Sequence, residues 1–454
     1  MRKLRVALFV HCFFPDHFYG TETYTLELAK NLKQLGHDVT VVAGVFQGEP
    51  KRESAITRYT YGDIDVVAFD KNYVPHSRIS ETYYQESARP YLRQILADLK
   101  PDIVHVTHLI NHTAMLLEEV GDANIPVVAT ITDFFGFCFN NKLEAANGSL
   151  CAGPNALRSN CIACFLKASN NAAVKRLASL PLGLSGAGFI LRTAGSIGLE
   201  PFGCSRQVVD DLVKRPNVLK RTYAVYDALI APSTFLHSAY LQQGFPIERF
   251  HLSHFGVDLD RRAKPARRGD TRITIGYIGQ IAAHKGVDLL VTAVSSLPAN
   301  KVGLKVYGPE NQDVAYMAAL RAAAGSNVSF HGTFEPDRMA DIMSELDLLA
   351  IPSTWYENSP LVLLNALASH TPVIVSNVEG LTEFIQEGKT GWSFRRSDRE
   401  HLRSVIAALI DNPGMVRAAT AATSYERTSM TMTQHVCELY AAVLSRRAGI
   451  ATCV

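Results

Sequence analysis

The 454-residue sequence predicts an α/β protein made of two doubly wound, Rossmann-like domains. Three observations carry this. Short apolar strands alternate with helical patterns along almost the whole chain, which is the mark of parallel sheets. The alternation stops once, at the polar, basic stretch "HFGVDLDRRAKPARRGD" (254–270), and then restarts. The length, with 47% hydrophobic and 19% charged residues, allows two or three separate cores.

In chain order, "RVALFVHCFF" (5–14) reads as a first strand. Its basic start resembles a signal peptide, but it runs into "PDHFYG" with no small-residue cleavage site. "TETYTLELAKNLKQLGH" (21–37) reads as an amphipathic helix with Thr21 as N-cap and Gly36 as terminator. "DVTVVAG" (38–44), "DIVHVTH" (102–108), "PVVATIT" (126–132) and "DALIAPS" (227–233) are the next strands. The second series is "TRITIGYIGQ" (271–280), "KVGLKVYG" (301–308), "NVSFHG" (327–332), "LDLLAIPS" (346–353) and "TPVIVSN" (371–377). This gives a first domain over 1–255, with a cysteine-rich insertion at 134–205, and a second over 256–431. A last helix, 432–454, is expected to pack back on the first domain. Open α/β sheets bind ligands beyond the carboxyl ends of their strands, so two in tandem imply a cleft between facing loops.

A net charge of +2 gives no reason to expect a nucleic-acid partner. No apolar run approaches the roughly 20 residues that span a bilayer. A cytoplasmic protein is therefore expected, and the Asn-x-Ser/Thr matches at Asn111, Asn147 and Asn327 read as chance. Eight cysteines in that setting argue against a disulfide framework.

Two stretches of the second domain suit anion chemistry. "GYIGQIAAHKG" (276–286) is a strand, a glycine turn, then Lys285 and Gly286 opening a helix, where backbone N–H groups and an ammonium suit phosphate. A solvated lysine beside a tight turn is the plain alternative. "STWYENSPLVLLNALA" (353–368) puts Glu357 ahead of an apolar helix and Asn365 within it. Glu357 either balances the helix dipole or accepts ligand hydroxyls, and Asn365 reads otherwise as a satisfied core amide.

These stretches, with "VYGPE", "VSFHGTF", "HTPVIVSNVEGLTEFIQEGKTGW" and "FFPDHFYGTETYTLELAKNLKQLGHDVTVV", resemble the GT4-type family of GT-B glycosyltransferases over nearly the whole chain. The resemblance implies a nucleoside diphosphate sugar, UDP- or GDP-linked, bound mainly by the second domain, and a glycan or lipid-linked acceptor held by the first. It implies that Lys285 binds the diphosphate and that Glu357 contacts the transferred sugar. Asn358, Ser359, Pro360 and Leu361 would face the phosphates. Gly279, Gln280, Gly286 and Gly308 would line the same site, and His331, Gly332 and Thr333 the nucleobase. In the first domain Gly20 would let the diphosphate approach, followed by Thr21 and Glu22.

The chain departs from the family pattern at three places. Asn365 stands where a second glutamate is usual, Gln280 where an arginine is common, and Thr132, ahead of Asp133, where a histidine is frequent. The resemblance also implies retention of anomeric configuration with no catalytic metal or other cofactor. Asp133, at a strand end, is a candidate to position or deprotonate the acceptor hydroxyl, or else a helix cap; His108 is a second candidate. The Asp-x-Asp matches at Asp63/Asp65 and Asp258/Asp260 lack a strand-end context and predict no metal.

Cys138, Cys151, Cys161 and Cys164 end in a C-x-x-C, and a sub-branch of the family resembles this C…CxGP…CxxC pattern. Structural zinc, an iron–sulfur cluster and free thiols all stay open. The following segment, 161–199, is apolar, glycine-rich and sparsely basic, and suits either contact with the cytoplasmic membrane face or helical packing. The leading function is sugar transfer in bacterial surface polysaccharide or glycolipid assembly. A sugar-nucleotide epimerase on the same fold and a non-catalytic, glycan-binding scaffold are the alternatives.

Overall fold

The computed structural model describes residues 2–168, 193, 206–258 and 272–451. It divides into two compact units, 1–254 with 430–454, and 255–429. The first holds strands β1 (Arg5–Val10), β2 (Asp38–Val45), β3 (Ile56–Tyr61), β4 (Ile64–Asp70), β5 (Ile103–Val106), β6 (Val127–Thr130), β7 (Ala228–Ala231) and β8 (Phe250–Leu252). Their order is β3-β4-β2-β1-β5-β6-β7-β8, parallel except for the β3–β4 hairpin. β5, β6 and β7 are four-residue strands, mostly Val, Ile, Leu and Ala, with every position buried, as a sheet covered on both faces requires. The hairpin is where pairing turns antiparallel: Tyr61–Ile64 closes it around Gly62, whose φ is +59°.

The helix Gly20–Gln34 buries Tyr24, Leu28, Ala29 and Leu32, a 3.6-residue stripe, against β1 and β2. Its N-cap is Tyr19 and carries no side-chain cap, so Thr21 lies inside the first turn and not at the cap. The final helix, Ser429–Ala451, belongs to this unit from Met430 onward. Tyr440 Oη lies 2.7 Å from His105 Nδ1 on β5, and Arg447 Nε donates to Asp227 Oδ1 at 2.9 Å. Those contacts hold one end of a helix whose partner residues lie more than 200 positions earlier.

The second unit holds β9 (Ile273–Ile278), β10 (Val302–Tyr307), β11 (Val328–Phe330), β12 (Leu348–Ile351), β13 (Val373–Ser376) and β14 (Gly391–Phe394). They form one wholly parallel sheet, order β11-β10-β9-β12-β13-β14. Ile275, Leu304, Val306, Leu348 and Ile374 meet Leu290, Val294, Leu402 and Ile406 from covering helices in a single core. In the first sheet the winding reverses between β1 and β5, and in the second between β9 and β12. Each reversal opens a crevice at the carboxyl ends of its own sheet's strands, where α/β sheets bind ligands.

Candidate active site

In the second unit the residues beyond β9 and β12 meet at that reversal. A 3₁₀ turn, Ala283–Lys285, follows β9, and Gly286 then starts the helix Val287–Ser295 with φ +67°. A Cβ at Gly286 would lie 2.1 Å from the carbonyl oxygen of Pro352, just past β12, so the two loops touch only because this residue is glycine. Thr354 N–H donates to His284 O at 2.9 Å and ties them further.

This contact puts Lys285 Nζ 2.6 Å from Glu357 Oε1. Ser353 Oγ at 2.6 Å and Trp355 Nε1 at 3.0 Å donate to the same oxygen, leaving Oε2 outside the set. Lys285 Nζ also lies 4.9 Å from the Trp355 ring centre, within cation–π range. Glu357 is 8% exposed. Burial pushes its carboxyl pKa up, but the Lys285 charge and the three hydrogen bonds outweigh it and hold the group below the usual carboxylate range. Lys285 is thus paired with a carboxylate and is not the solvated lysine of the plain alternative.

Gly380 holds the other side of Glu357. Its φ is +82°, and a Cβ there would fall 1.5 Å from Glu357 O. Gly380→Ala combines a left-handed backbone with a backbone clash, and is expected to cost about 3 kcal/mol or more. Urea unfolding of the full chain measures it; a loss under about 1 kcal/mol would show that this loop yields freely.

The helix Leu361–Ala368 begins at Pro360, its N-cap, with no side-chain cap. Before it, Ser359 has φ +60° and is 1% exposed, and its hydroxyl has no hydrogen-bond partner. Asn358 sits beside it in the same loop. Asn365 is half-buried while Leu363, Leu364 and Ala366 around it are buried, so it is not the core amide that the apolar run suggests. The loops after β9, β10 and β11 stack: Gly279 N–H donates to Tyr307 O at 3.0 Å and Gly308 N–H to Gly332 O at 2.8 Å. Gly308 has no room for a Cβ, which would stand 2.0 Å from Gly279 O. The His331 ring stacks on Tyr307 at 4.8 Å, with its Nε2 2.8 Å from Ser329 Oγ. Gln280 uses its carbonyl to accept from Tyr277 Oη at 2.5 Å. Asn365 and the exposed Thr333 join neither group.

In the first unit a second cluster lies beyond β1, β5 and β6, at the other reversal. His108 Nε2 is 3.0 Å from Asp133 Oδ2, and Ile110 N–H donates to His108 Nδ1 at 3.2 Å. Asp133 Oδ1 accepts from Phe135 N–H at 2.9 Å. Thr132 donates its hydroxyl to Thr107 O at 3.0 Å. The His11 ring packs 4.1 Å from that of His108, and His11 Nε2 is 3.1 Å from Glu22 Oε1. Burial lowers the His11 pKa, and the neighbouring His108 lowers it further. Burial also works against a charged His108, but Asp133 and then Glu22 outweigh it and raise the His108 pKa.

Cys12 Sγ donates to Glu22 Oε1 at 3.0 Å. His11, Cys12 and Glu22 are the one set among the described residues whose metal-type donor atoms all lie within 4.8 Å. Gly20 opens the helix that carries Glu22; a Cβ there would meet nothing within 4 Å, so packing does not demand glycine at that place. Sequence reasoning singled out Glu357, Lys285, His108 and Asp133. It missed Ser353, Trp355, Gly380 and His11, although Ser353 and Trp355 stand inside the quoted motif. Of the Asp-x-Asp matches, Asp63 pairs with Lys33 at 3.2 Å, and Asp258 accepts from Ser429 N–H at 3.0 Å. Asp260 and most of 161–199 lie outside the described residues. Among the described residues no helix is long and apolar enough to cross a membrane.

Two family models match the chain: glycosyl transferases group 1 over residues 260–427, and glycosyltransferase family 4 over 18–143. A D-inositol 3-phosphate glycosyltransferase of Rhodococcus opacus is 31% identical over 200 residues, 37% of this chain and 45% of that protein. The chain thus spans about half the length of the curated relatives it matches. Among solved structures, Anabaena Alr3699/HepE in complex with UDP and glucose superposes with a TM-score of 0.61 at 14% identity, covering 96% of this chain and 99% of that one. WaaG, a glycosyltransferase involved in lipopolysaccharide biosynthesis, gives 0.58 at 15% identity, over 96% and 99%. At such identities the likeness speaks for the fold. With both models in chain order and two parallel-sheet domains beneath them, the chain belongs to the group 1, family 4 glycosyltransferases of GT-B fold.

Proposed function

We propose that the chain transfers a glycosyl group from a nucleoside diphosphate sugar to a hydroxyl of a glycan or lipid-linked acceptor, with retention of anomeric configuration. The observation that carries the reading is the pairing of half-buried Lys285 with buried Glu357 at the winding reversal of the second sheet, beside an uncapped helix start. The first-turn N–H groups of that helix and the Lys285 ammonium suit the diphosphate, on which negative charge grows as the glycosyl–oxygen bond breaks. The unpartnered Ser359 hydroxyl stands at the same place. Glu357 Oε2 takes the hydroxyls of the transferred sugar, and the Tyr307–His331 stack offers a flat surface for a base. In the first unit, Asp133 Oδ2 accepts the acceptor proton as the new glycosidic bond forms, with His108 orienting the carboxylate.

A UDP donor fits the ligands of the HepE structures, and a bacterial surface glycan or glycolipid product fits the setting of WaaG. Work on the cytoplasmic membrane face fits a lipid-linked acceptor. Thermal shift with UDP, GDP, ADP, CMP and their sugars tests the donor: stabilisation by one nucleoside diphosphate is expected, and stabilisation by none overturns the reading. Released nucleoside diphosphate with a glycosylated acceptor is the expected product. Isomerised donor would mean an epimerase, and binding without turnover a scaffold. Asn365→Ala is expected to weaken nucleotide binding about tenfold, roughly 1.4 kcal/mol, at unchanged kcat. Calorimetric titration beside initial rates reads the two separately; a fall in kcat alone would move Asn365 from the nucleotide to the reacting sugar.

A further inference from the structure

Glu22 stands in the first turn of the helix Gly20–Gln34 and is 1% exposed, yet among the described residues no lysine or arginine pairs with it. His11 Nε2 and Cys12 Sγ are its partners, 3.1 and 3.0 Å from Oε1. Glu22 Oε2 and His11 Nδ1 are both buried with no hydrogen-bond partner. A buried carboxylate without a permanent counter-charge is costly enough that a cation is expected beside it.

An imidazole nitrogen, a sulfur and a carboxylate oxygen thus converge, all within 4.8 Å of one another. Around tetrahedral zinc, bonds of about 2.0 to 2.3 Å hold such ligands about 3.3 to 3.6 Å apart, so shifts of about half an ångström per ligand would seat an ion. The backbone holds the three in place by other means. β1 ends at Val10, and the next two residues turn to meet the helix start. His11 O accepts from Asn111 Nδ2 at 2.6 Å, and its ring packs on those of His108 and Phe46. Gly44 on β2 leaves room for this, since a Cβ there would stand 2.7 Å from His11 O. Cys12 is 3% exposed. The insertion thiols form no such set, although the sequence suggests structural zinc there. Cys138 Sγ donates to Asn140 Oδ1, Cys151 to Gly153 O, Cys161 to Asn160 Oδ1 and Cys164 to Glu144 O, and no three of these sulfurs lie within 4.8 Å of one another.

We propose that His11, Cys12 and Glu22 bind one zinc ion, with a water in the fourth position. Cys12 releases its proton to solvent on binding, and the thiolate and the Glu22 carboxylate together balance the divalent charge. His11 ligates as the neutral imidazole: Nδ1, which has no other partner, carries the ring proton and leaves Nε2 for the ion. Sulfur and imidazole ligands suit zinc and not the hard, oxygen-seeking magnesium or calcium. The ion ties the end of β1 to the first turn of the helix and closes the loop 13–19 between them. The assignment does not rest on the proposed transfer reaction.

Metal analysis and cobalt substitution of the purified full chain test this. After zinc loading and gel filtration, one zinc per chain is expected. Cobalt in its place is expected to show the near-ultraviolet charge-transfer band of a thiolate ligand, and Cys12→Ser to abolish that band. Glu22→Gln keeps the shape of the side chain and is expected to lose zinc to a competing chelator at least about tenfold more readily. Unchanged retention would remove Glu22 from the set. Cys161→Ser/Cys164→Ser must keep both zinc and band; their loss there would move the ion to the insertion and overturn the assignment. Zinc well below one per chain, or a cobalt band that survives in Cys12→Ser, would also overturn it. The zinc content and cobalt band of the parent chain decide the matter even where a variant fails to fold.

Discussion

Glu357→Gln is expected to lower kcat by about 10² to 10³ while nucleotide affinity changes only a few-fold. The amide has the shape of the carboxylate, and its oxygen still accepts from Ser353 Oγ and Trp355 Nε1, now 2.6 and 3.0 Å from Oε1, so the loop has little reason to move. What disappears is the negative charge beside Lys285 Nζ and beside the sugar, whose ring gains positive character as the bond to the diphosphate breaks. Ground-state contacts to a hydroxyl survive in glutamine; the charge that matters in the transition state does not. Initial rates with saturating donor, together with calorimetric Kd values for the nucleotide, check it. A kcat within about threefold of the parent would mean that Glu357 serves only to hold Lys285.

The fold was legible because periodicity and punctuation agreed. Each strand quoted from the second series is a strand in the second sheet, trimmed at its ends, and Gly279, Gly286 and Gly308 fall at turns where backbones touch. What escaped was whatever breaks the strand–helix rhythm. "ITRYTYGDIDVVAF" alternates like a hairpin and is one, β3–β4, but a hairpin on the edge of a parallel sheet has no crossover helix to announce it. The strand within "RVALFVHCFF" is four residues shorter than the apolar run. The chain leaves the sheet after Val10, and His11 and Cys12 turn to meet Glu22.

The site was legible as residue types and not as pairs. Nothing local says that Lys285 and Glu357, 72 positions apart, touch: the contact follows from sheet order and from the absence of a Cβ at Gly286 and Gly380. The two clusters follow one rule, since each lies at the reversal of its own sheet, and strand order is what sequence spacing conveys least. His108 beside Asp133 depends likewise on β5 lying next to β6. With Thr132 in place of the frequent histidine, the imidazole near Asp133 comes from the neighbouring strand end.

Lys285→Met is expected to cost about 3 to 5 kcal/mol of stability at pH 7, with a pH dependence that names the cause. In the parent chain Glu357 has a folded pKa below its ordinary value of 4.5. It therefore adds stability above pH 4.5 that is lost as pH falls through the folded value. Methionine keeps the volume of the lysine stem but removes the charge that outweighed burial. Burial then governs, and the Glu357 pKa rises above 4.5. The same carboxylate now opposes folding above pH 4.5, and its cost vanishes as acid protonates it. The gap between parent and variant is thus widest near neutrality and closes in acid, as one chain loses stability and the other regains it. Urea unfolding at several pH values between about 4 and 8 measures the gap. Lys285→Arg, which keeps the charge, should restore most of the neutral-pH stability. A gap of constant size would mean that the loss came from packing against Trp355 and not from an uncompensated carboxylate.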